Sequence, residues 1–584
     1  MKETIKKWTP YLLIIIFAFI IVFPQIKSNA YIIGIDSIFH MNRFYDAAMQ
    51  LKTGHFSYFQ SFFGFQHSGR IINALYGPLF AYVNGAILLV VGSWVKYQVI
   101  SSLAIMIISG CLMYHLAIYN HANRFSATVV SLIYILSDPI FSWVSGQQFT
   151  GWGAAFLPWL MLSGSQMLRE HKVHIIQLAL SMTILLQTHI MSSLVGTIAL
   201  IPFFIVGWMH ANNRFKMFRD GVLATLLTLV LSGNVYGGMF DIYSSNRLIS
   251  VAPQADLDQD ALAIFQKQDT ILNPVYLILF LLTLVFLIWA FKRISTSLKT
   301  ITIVGLVFLW VSSFLFPWNT LSSWFPSITY LIQMPKRFDV IAYILLLTSI
   351  SVFFSNLTIK MVSPIVKNGF LLISFGILFF QATSIIHEDI KDWNSIQVVS
   401  NNHDMKFQTA DPKALRESLT SNNLSDPLYL MTKATPDYLP IKEQLLPIGS
   451  IGYYNFHPYG NYDRQVILRQ LHYPLTEKVY HSNELVVSWM NHRDHHHQKG
   501  LPVIKYAHTV VTFNGKTLQH PTTSNIGSVI VNAKPGWNQV TLTYEAGLFF
   551  KLTSYLTWVG WLSLLAFAIQ DWIKKIALRF KFKS

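Results

Sequence analysis

The stretch MKETIKKWTPYLLIIIFAFIIVF (residues 1–23) decides the class of the fold. Lys2, Lys6 and Lys7 flank a long apolar run. A helix needs about 20 such residues to cross a hydrocarbon core roughly 30 Å thick. No small-x-small cleavage site follows closely, so the run reads as a retained first span and not as a cleaved leader. Similar runs recur at 72–93, 97–119, 125–143, 152–168, 174–190, 193–210, 218–236, 271–291, 299–316, 337–355, 366–385 and 549–570. That makes about thirteen candidate spans. Composition agrees: 53% of the 584 residues are hydrophobic and 12% are charged, against about 25% charged in a soluble chain.

The net charge of +16 is first a topology signal. Lys and Arg gather in cytoplasmic loops. Here Arg124 follows one span, and Lys and Arg fill REHK (169–172), NNRFK (212–216), KRISTSLK (292–299) and the tail KKIALRFKFKS (574–584). No Arg- and aromatic-rich soluble patch accompanies the charge, so membrane lipids are expected partners and nucleic acid is not. The single cysteine, Cys111, rules out an intrachain disulfide and any CxxC site.

An odd number of spans conflicts with two basic tails. The conflict traces to 72–119, where ALYGPLFAYVNGAILLVVGSW (74–94) carries Gly77, Pro78, Asn84 and Gly85. Whether this region crosses once or twice stays open at this level. The expected outer pieces are 28–71, 138–151, 237–270, 317–336 and a polar block, 387–548. The block holds strand-like runs ELVVSWM, LPVIKYAHTVVTF, GSVIVNA and NQVTLTYEA. Asn-Gly in TVVTFNGKTL supplies the positive-φ positions of a tight hairpin, and NAKPGWNQV marks a second turn. The division is therefore a transmembrane unit (1–386) with a long first outer loop (28–71), a β-rich α+β extracytoplasmic domain (387–548), and a last span with its basic tail (549–584).

Chemistry concentrates in GIDSIFHMNRFYDAAMQ (34–50). At about 100° per residue, Asp36, His40, Arg43, Ala47 and Gln50 share one face, and Ile38, Met41, Tyr45 and Ala48 the other. The pattern predicts an amphipathic helix lying on the outer membrane surface, apolar side down. His55, His67, Arg70 and Asn73 follow in the same loop. A second outer loop reads LIQMPKRFDV (331–340), with Gln333, Lys336 and Arg337 at the outer end of a span. Outer cations run against the usual bias, and phosphate is a ligand that would explain them. A lipid headgroup anchor is the plainer alternative. His189, in LLQTHI (185–190), sits at another outer span end; a hydrogen-bonded structural role competes there with a functional one. The histidine-rich NHRDHHHQ (491–498) lacks a second cluster at ligand spacing and reads first as a polar loop.

Asp36 followed by Phe39-His40 and Arg43 resembles the G-D-x-x-F-H-x-x-R opening of bacterial multispanning proteins catalogued as 6-pyruvoyl-tetrahydropterin-synthase-related membrane proteins. These are similar to the GT-C glycosyltransferase superfamily. Further matching segments are LYGPLFAYVNG (75–85), GWGAAFLPW (151–159), LLQTHI, IQMPKRF (332–338) and DYLP (437–440), in the family's order and over most of the chain. No three-histidine zinc pattern supports pterin-synthase chemistry. The resemblance implies a GT-C-like α-helical polytopic membrane protein of about 12–14 transmembrane helices. Its plasma-membrane site would face outward. Such a protein moves a sugar from a polyprenyl-phosphate donor to a cell-envelope polymer or surface protein. Asp36 is the expected base, with His40 beside it; Arg43, Arg70, Lys336, Arg337, His189 and Gln333 are expected to bind phosphate or substrate. No cofactor is certain. A divalent metal stays open, because Asp36 and His40 are only two ligands, and Gln147 and Gln148 stand where a second acid would serve. A transporter or flippase of lipid-linked glycans, or a non-catalytic envelope assembly protein, are the rival readings.

Overall fold

The first apolar run folds as a single helix, Lys2–Ser28. It ends where Asn29 takes a left-handed conformation, a common helix stop. The computed structural model describes residues 2–250, 256–263, 271–356, 363–400, 405–442, 456–472 and 475–581. They form a mostly helical molecule with a β-containing C-terminal region. Among them six helices are long and apolar enough to cross a membrane, and up to eight if the bent pairs Arg124–Ile135 with Asp138–Gly146 and Arg214–Leu231 with Gly233–Ser245 each count once. The other runs read as spans are also helical, but four of them, Pro78–Val91, Ile175–Thr188, Pro274–Ala290 and Thr296–Ser312, are shorter apolar helices. Helix Asp339–Asn356 is apolar all round and buried on nearly every side. Leu548–Lys581 instead exposes Leu552, Tyr555, Leu556, Trp558 and Leu562, an apolar surface suited to lipid.

The troublesome region 72–119 separates into a single helical turn, Asn73–Tyr76, and two unequal helices. Pro78–Val91 has 14 residues and is about 21 Å long, short of the hydrocarbon core. Both its ends lie at the same end of the bundle. Gly77 abuts the backbone of Gln187. At the other end Trp94 donates from Nε1 to the Leu424 carbonyl, 3.0 Å. From there Trp94–Tyr119 runs to the far end of the bundle, where the basic connections meet: Asn356 donates to the His121 carbonyl, and His121 pairs with Arg169.

The expected surface helix forms over Ser37–Thr53, but it lies inside the protein. Its polar face does not look into water. Asp46 accepts from the Phe63 and Gly64 amides, and Asn42 from Phe65. The loop after the helix folds back over that face, and the helix side chains satisfy the loop's backbone. The opposite face packs on Pro78–Val91, brought close by Gly85, where a Cβ would meet the Ala48 nitrogen at 2.7 Å.

The C-terminal region is two units. Residues 396–400 and 405–432, including the short pair β1 (Lys406–Phe407) and β2 (Met431–Thr432), share the hydrophobic core of the helical bundle through Val398, Leu415 and Met431. After the short helices Pro458–Tyr462 and Leu468–His472, residues 476–544 form two facing sheets. Strands β3 (Thr476–His481), β4 (Glu484–Asn491), β6 (Thr509–Phe513), β7 (Lys516–Thr517) and β10 (Gly536–Tyr544) make a five-stranded sheet ordered β3-β4-β10-β6-β7. Strands β5 (His497–Ile504), β8 (Thr522–Thr523) and β9 (Ser528–Ala533) make a three-stranded sheet ordered β5-β9-β8. Leu485, Val487, Trp489, Val503, Val531 and Val540 fill the space between them. Asn514 and Gly515 form the expected positive-φ hairpin between β6 and β7. The run read as LPVIKYAHTVVTF is two strands, because Tyr506 to His508 turn the chain from one sheet to the other.

Candidate functional site

Asp36 stands at the N-cap of Ser37–Thr53, yet its side chain makes no capping hydrogen bond. An aspartate there usually caps. Its carboxylate is left to the charges gathered around it. Burial raises its pKa; Lys433 and then Arg337 pull it back down. Lys433 is fixed by donating from Nζ to the Ile35 carbonyl, 2.9 Å. Arg337 lies in the 3-10 turn Pro335–Phe338 and donates from Nη1 to Gln333 Oε1, 3.0 Å. Gln333 therefore holds the arginine, from a left-handed backbone at φ 60°.

His40 turns to Arg43, not to Asp36: its Nδ1 is 3.3 Å from Arg43 Nη1. Burial first, then Arg43 and His189, hold its pKa well below the ordinary value, so the ring is neutral. It stacks on Phe149 at 4.8 Å. Arg43 is fully buried. Its guanidinium packs over Tyr76 at 4.6 Å and Phe149 at 4.7 Å, and Nε donates to Asn73 Oδ1 at 3.1 Å. Its Nη2 has no hydrogen-bond partner among the described residues. Burial lowers its pKa to about 10. His189 caps Ile190–Met209, accepting at Nδ1 from the Ser192 amide, 3.2 Å.

The remaining predicted residues part company. Arg70 is fully buried and donates to Thr435 Oγ1 and to the Asp437 carbonyl, 2.6 Å. It clamps the chain that carries the site. Lys336 lies 4.0 Å from Asp138 Oδ2. Adjacent residues of a 3-10 turn point about 120° apart, so Lys336 and Arg337 serve different places. In the outer piece 237–270, Asp256 and Asp258 both accept from Asn319 Nδ2; its parts 251–255 and 264–270 fall outside the described residues.

Sequence reasoning assigned no role to four groups that the fold brings here: Tyr76, Lys433, Asp437 and Tyr438. Tyr76 and Tyr438 meet edge-on with ring centroids 6.0 Å apart. Tyr438 has φ 63°, and the turn is pinned by its amide on the Ile249 carbonyl and by Tyr506 Oη on its own carbonyl. Burial raises Asp437 to about 6; Arg70 lowers it and Asp36 raises it. The DYLP segment was the one available signal. Nothing in the sequence around Lys433 pointed to it.

The arrangement offers a half-buried carboxylate with a raised proton affinity, cations from three separate segments, two phenol hydroxyls and a neutral imidazole. Such a set can accept a proton and stabilise a developing oxyanion. No three His, Cys, Asp or Glu side chains converge as a metal group among the described residues, at this site or in the 491–498 connection. No step is therefore derived through a metal. No family model, curated protein or solved structure matches the chain.

Proposed function

We propose that the chain is a membrane glycosyltransferase of GT-C type. It would take a sugar from a polyprenyl-phosphate donor and pass it to a hydroxyl of a cell-envelope polymer or surface protein on the outer face. The observation that carries the reading is the meeting of Asp36 with Lys433, Arg337 and Asp437. It lies at the end of the bundle away from the basic connections. With Pro78–Val91 kept on the outer side and the other three shorter apolar helices crossing, about twelve helices cross and both basic tails fall in the cytoplasm. Residues 387–548 are then extracytoplasmic.

In the transfer, Asp36 takes the proton of the acceptor hydroxyl. The acceptor oxygen bonds to the anomeric carbon, whose bond to the phosphate oxygen breaks. The electron pair leaves with the polyprenyl phosphate. Arg337, Lys433 and the buried Arg43, whose Nη2 has no hydrogen-bond partner among the described residues, meet the growing charge, where low dielectric strengthens their effect. The raised proton affinity of Asp36 makes it a better base, while Lys433 and Arg337 keep it ionised.

The test is Asp36→Asn in cells where protein level and membrane insertion match wild type. Envelope glycosylation should fall by about 10²–10⁴-fold. Wild-type glycosylation would remove the base assignment and favour a flippase or an assembly protein.

A further inference from the structure

The basic connections enclose a cavity of about 520 Å³ at the end of the bundle opposite to Asp36. Helix Trp94–Tyr119 separates the two ends. Gln98, near its start, bonds the Ile32 backbone on the Asp36 side. Its 26 residues then reach about 39 Å to the cavity. Five separate connections line the cavity, and their charged or imidazole members are His121, Arg169, His171, His210 and Arg293. Among the described residues no Asp or Glu lines it.

Basic connections alone are a topology signal. Three observations give these a ligand. The first is how the two arginines are held. Arg169 lies over the Tyr119 ring at 4.7 Å and donates to His121 Nε2. Arg293 lies over the Trp289 ring at 5.4 Å. Neither has a carboxylate partner among the described residues. Glu170, the neighbouring acid, is taken by Tyr119 Oη and His174 Nε2.

The second is His171. Its Nδ1 is buried and has no hydrogen-bond partner among the described residues. A buried ring nitrogen needs one, and with its proton there it donates to an oxyanion. The ring stacks on His210 at 5.9 Å, which donates from Nδ1 to the Val206 carbonyl at 2.8 Å. These imidazoles do not converge as a metal group among the described residues.

The third is the start of helix Thr296–Ser312, at the cavity rim. Ser295 Oγ caps the Leu298 amide at 3.3 Å. The Thr296 and Ser297 amides before it have no acceptor within the helix and stand at its positive end.

Behind the cations the wall is apolar. Val206 lines it, with the buried Ile301, Val352 and Phe353. A basic rim over a carbon wall suits a phosphate carried on an organic group, and organic-ligand sites measure about 300–1,000 Å³. We infer that this cavity binds an organic phosphate, its oxygens held by Arg169, Arg293, His171 and the first amides of Thr296–Ser312. The inference does not rest on the proposed transfer.

The experiment uses the full chain in detergent and two probes, phenyl phosphate read by calorimetry and dioleoyl phosphatidic acid read by native mass spectrometry. Phenyl phosphate binds if the source is soluble, and phosphatidic acid binds if it is a lipid headgroup. Binding should weaken about tenfold in Arg293→Gln with His171→Asn, and should weaken in about 0.5 M salt. Arg293 is exposed, and asparagine tolerates the left-handed backbone of His171, φ 54°. The double variant should therefore melt as wild type; if it does not, Arg293→Gln alone decides, by a smaller loss of the same sign. Arg337→Gln, at the other end, should bind as wild type. Binding of neither probe, equal binding by the deciding variant, loss of binding in Arg337→Gln, or equal retention of dioleoylglycerol would overturn the site.

Discussion

Lys433 Nζ donates to the carbonyl of Ile35, the residue before Asp36, across 398 positions of sequence. The contact places an ammonium beside a carboxylate that burial would otherwise protonate more readily. Lys433→Gln removes a cation that lowers the Asp36 pKa, so that pKa rises. In the proposed transfer the base must be ionised, and the acid limb of the kcat/KM profile therefore moves to higher pH, by about one unit. Lys433→Arg should restore the profile. An unmoved limb in Lys433→Gln would separate Lys433 from the chemistry.

Arg43 tests whether a buried charge is kept for function. It makes no ion pair among the described residues and sits between Tyr76 and Phe149. Arg43→Met keeps much of the volume and removes a costly buried cation. Thermal unfolding in detergent should occur at the wild-type temperature or above, while transfer falls at least about tenfold. A large loss of stability with transfer intact per folded molecule would make Arg43 a packing residue.

Asp46 gives a pH dependence of stability. Burial lifts its pKa to about 6 against the pull of the Phe63 and Gly64 amides. The folded state then binds the proton more tightly than the unfolded state, whose value is near 4. Stability falls as pH rises from about 4 to 6, by an order of 3 kcal/mol, and stays at the lower level above that window. In Asp46→Asn this component vanishes. The check is the difference between the wild-type and variant melting temperatures from pH 4 to 7.5; a constant difference would count against it.

Gly77 is required twice over. Its φ is 79°, and a Cβ there would lie 2.4 Å from the Gln187 carbonyl oxygen. Gly77→Ala should cost about 2–3 kcal/mol. It should also loosen Tyr76, the neighbour that packs under Arg43. Unchanged melting would mean that the turn relaxes freely.

What the sequence made legible followed from local rules. Apolar run length placed the helices, and Asn514-Gly515 placed a hairpin that the structure contains. The 3.6 period placed a helix at Ser37–Thr53 and grouped His40 with Arg43. The same period misplaced the environment of that helix. Asp46, Asn42 and Gln50 look like a solvated face, but they serve backbone amides of the following loop, a partner that periodicity does not specify. Lys433, Asp437 and Tyr438 were illegible as site residues because their meaning arises only when the outer segment closes on the first loop. Lys336 and Arg337 looked like one phosphate clamp because they are neighbours in sequence, and the 3-10 turn sends them apart.

The clamp of Arg70 on the Asp437 carbonyl joins residues 367 positions apart. A ribosome adding about 5–20 residues per second needs roughly 20–70 s to travel between them. Throughout that interval the first loop has already emerged, yet it lacks the ammonium of Lys433 and the second carboxylate. A chain cut short before residue 433 holds Asp36 without the Lys433 ammonium, its larger counter-charge. On the proposed reading, the order of synthesis itself keeps the carboxylate and its ammonium apart until the outer segment has been made.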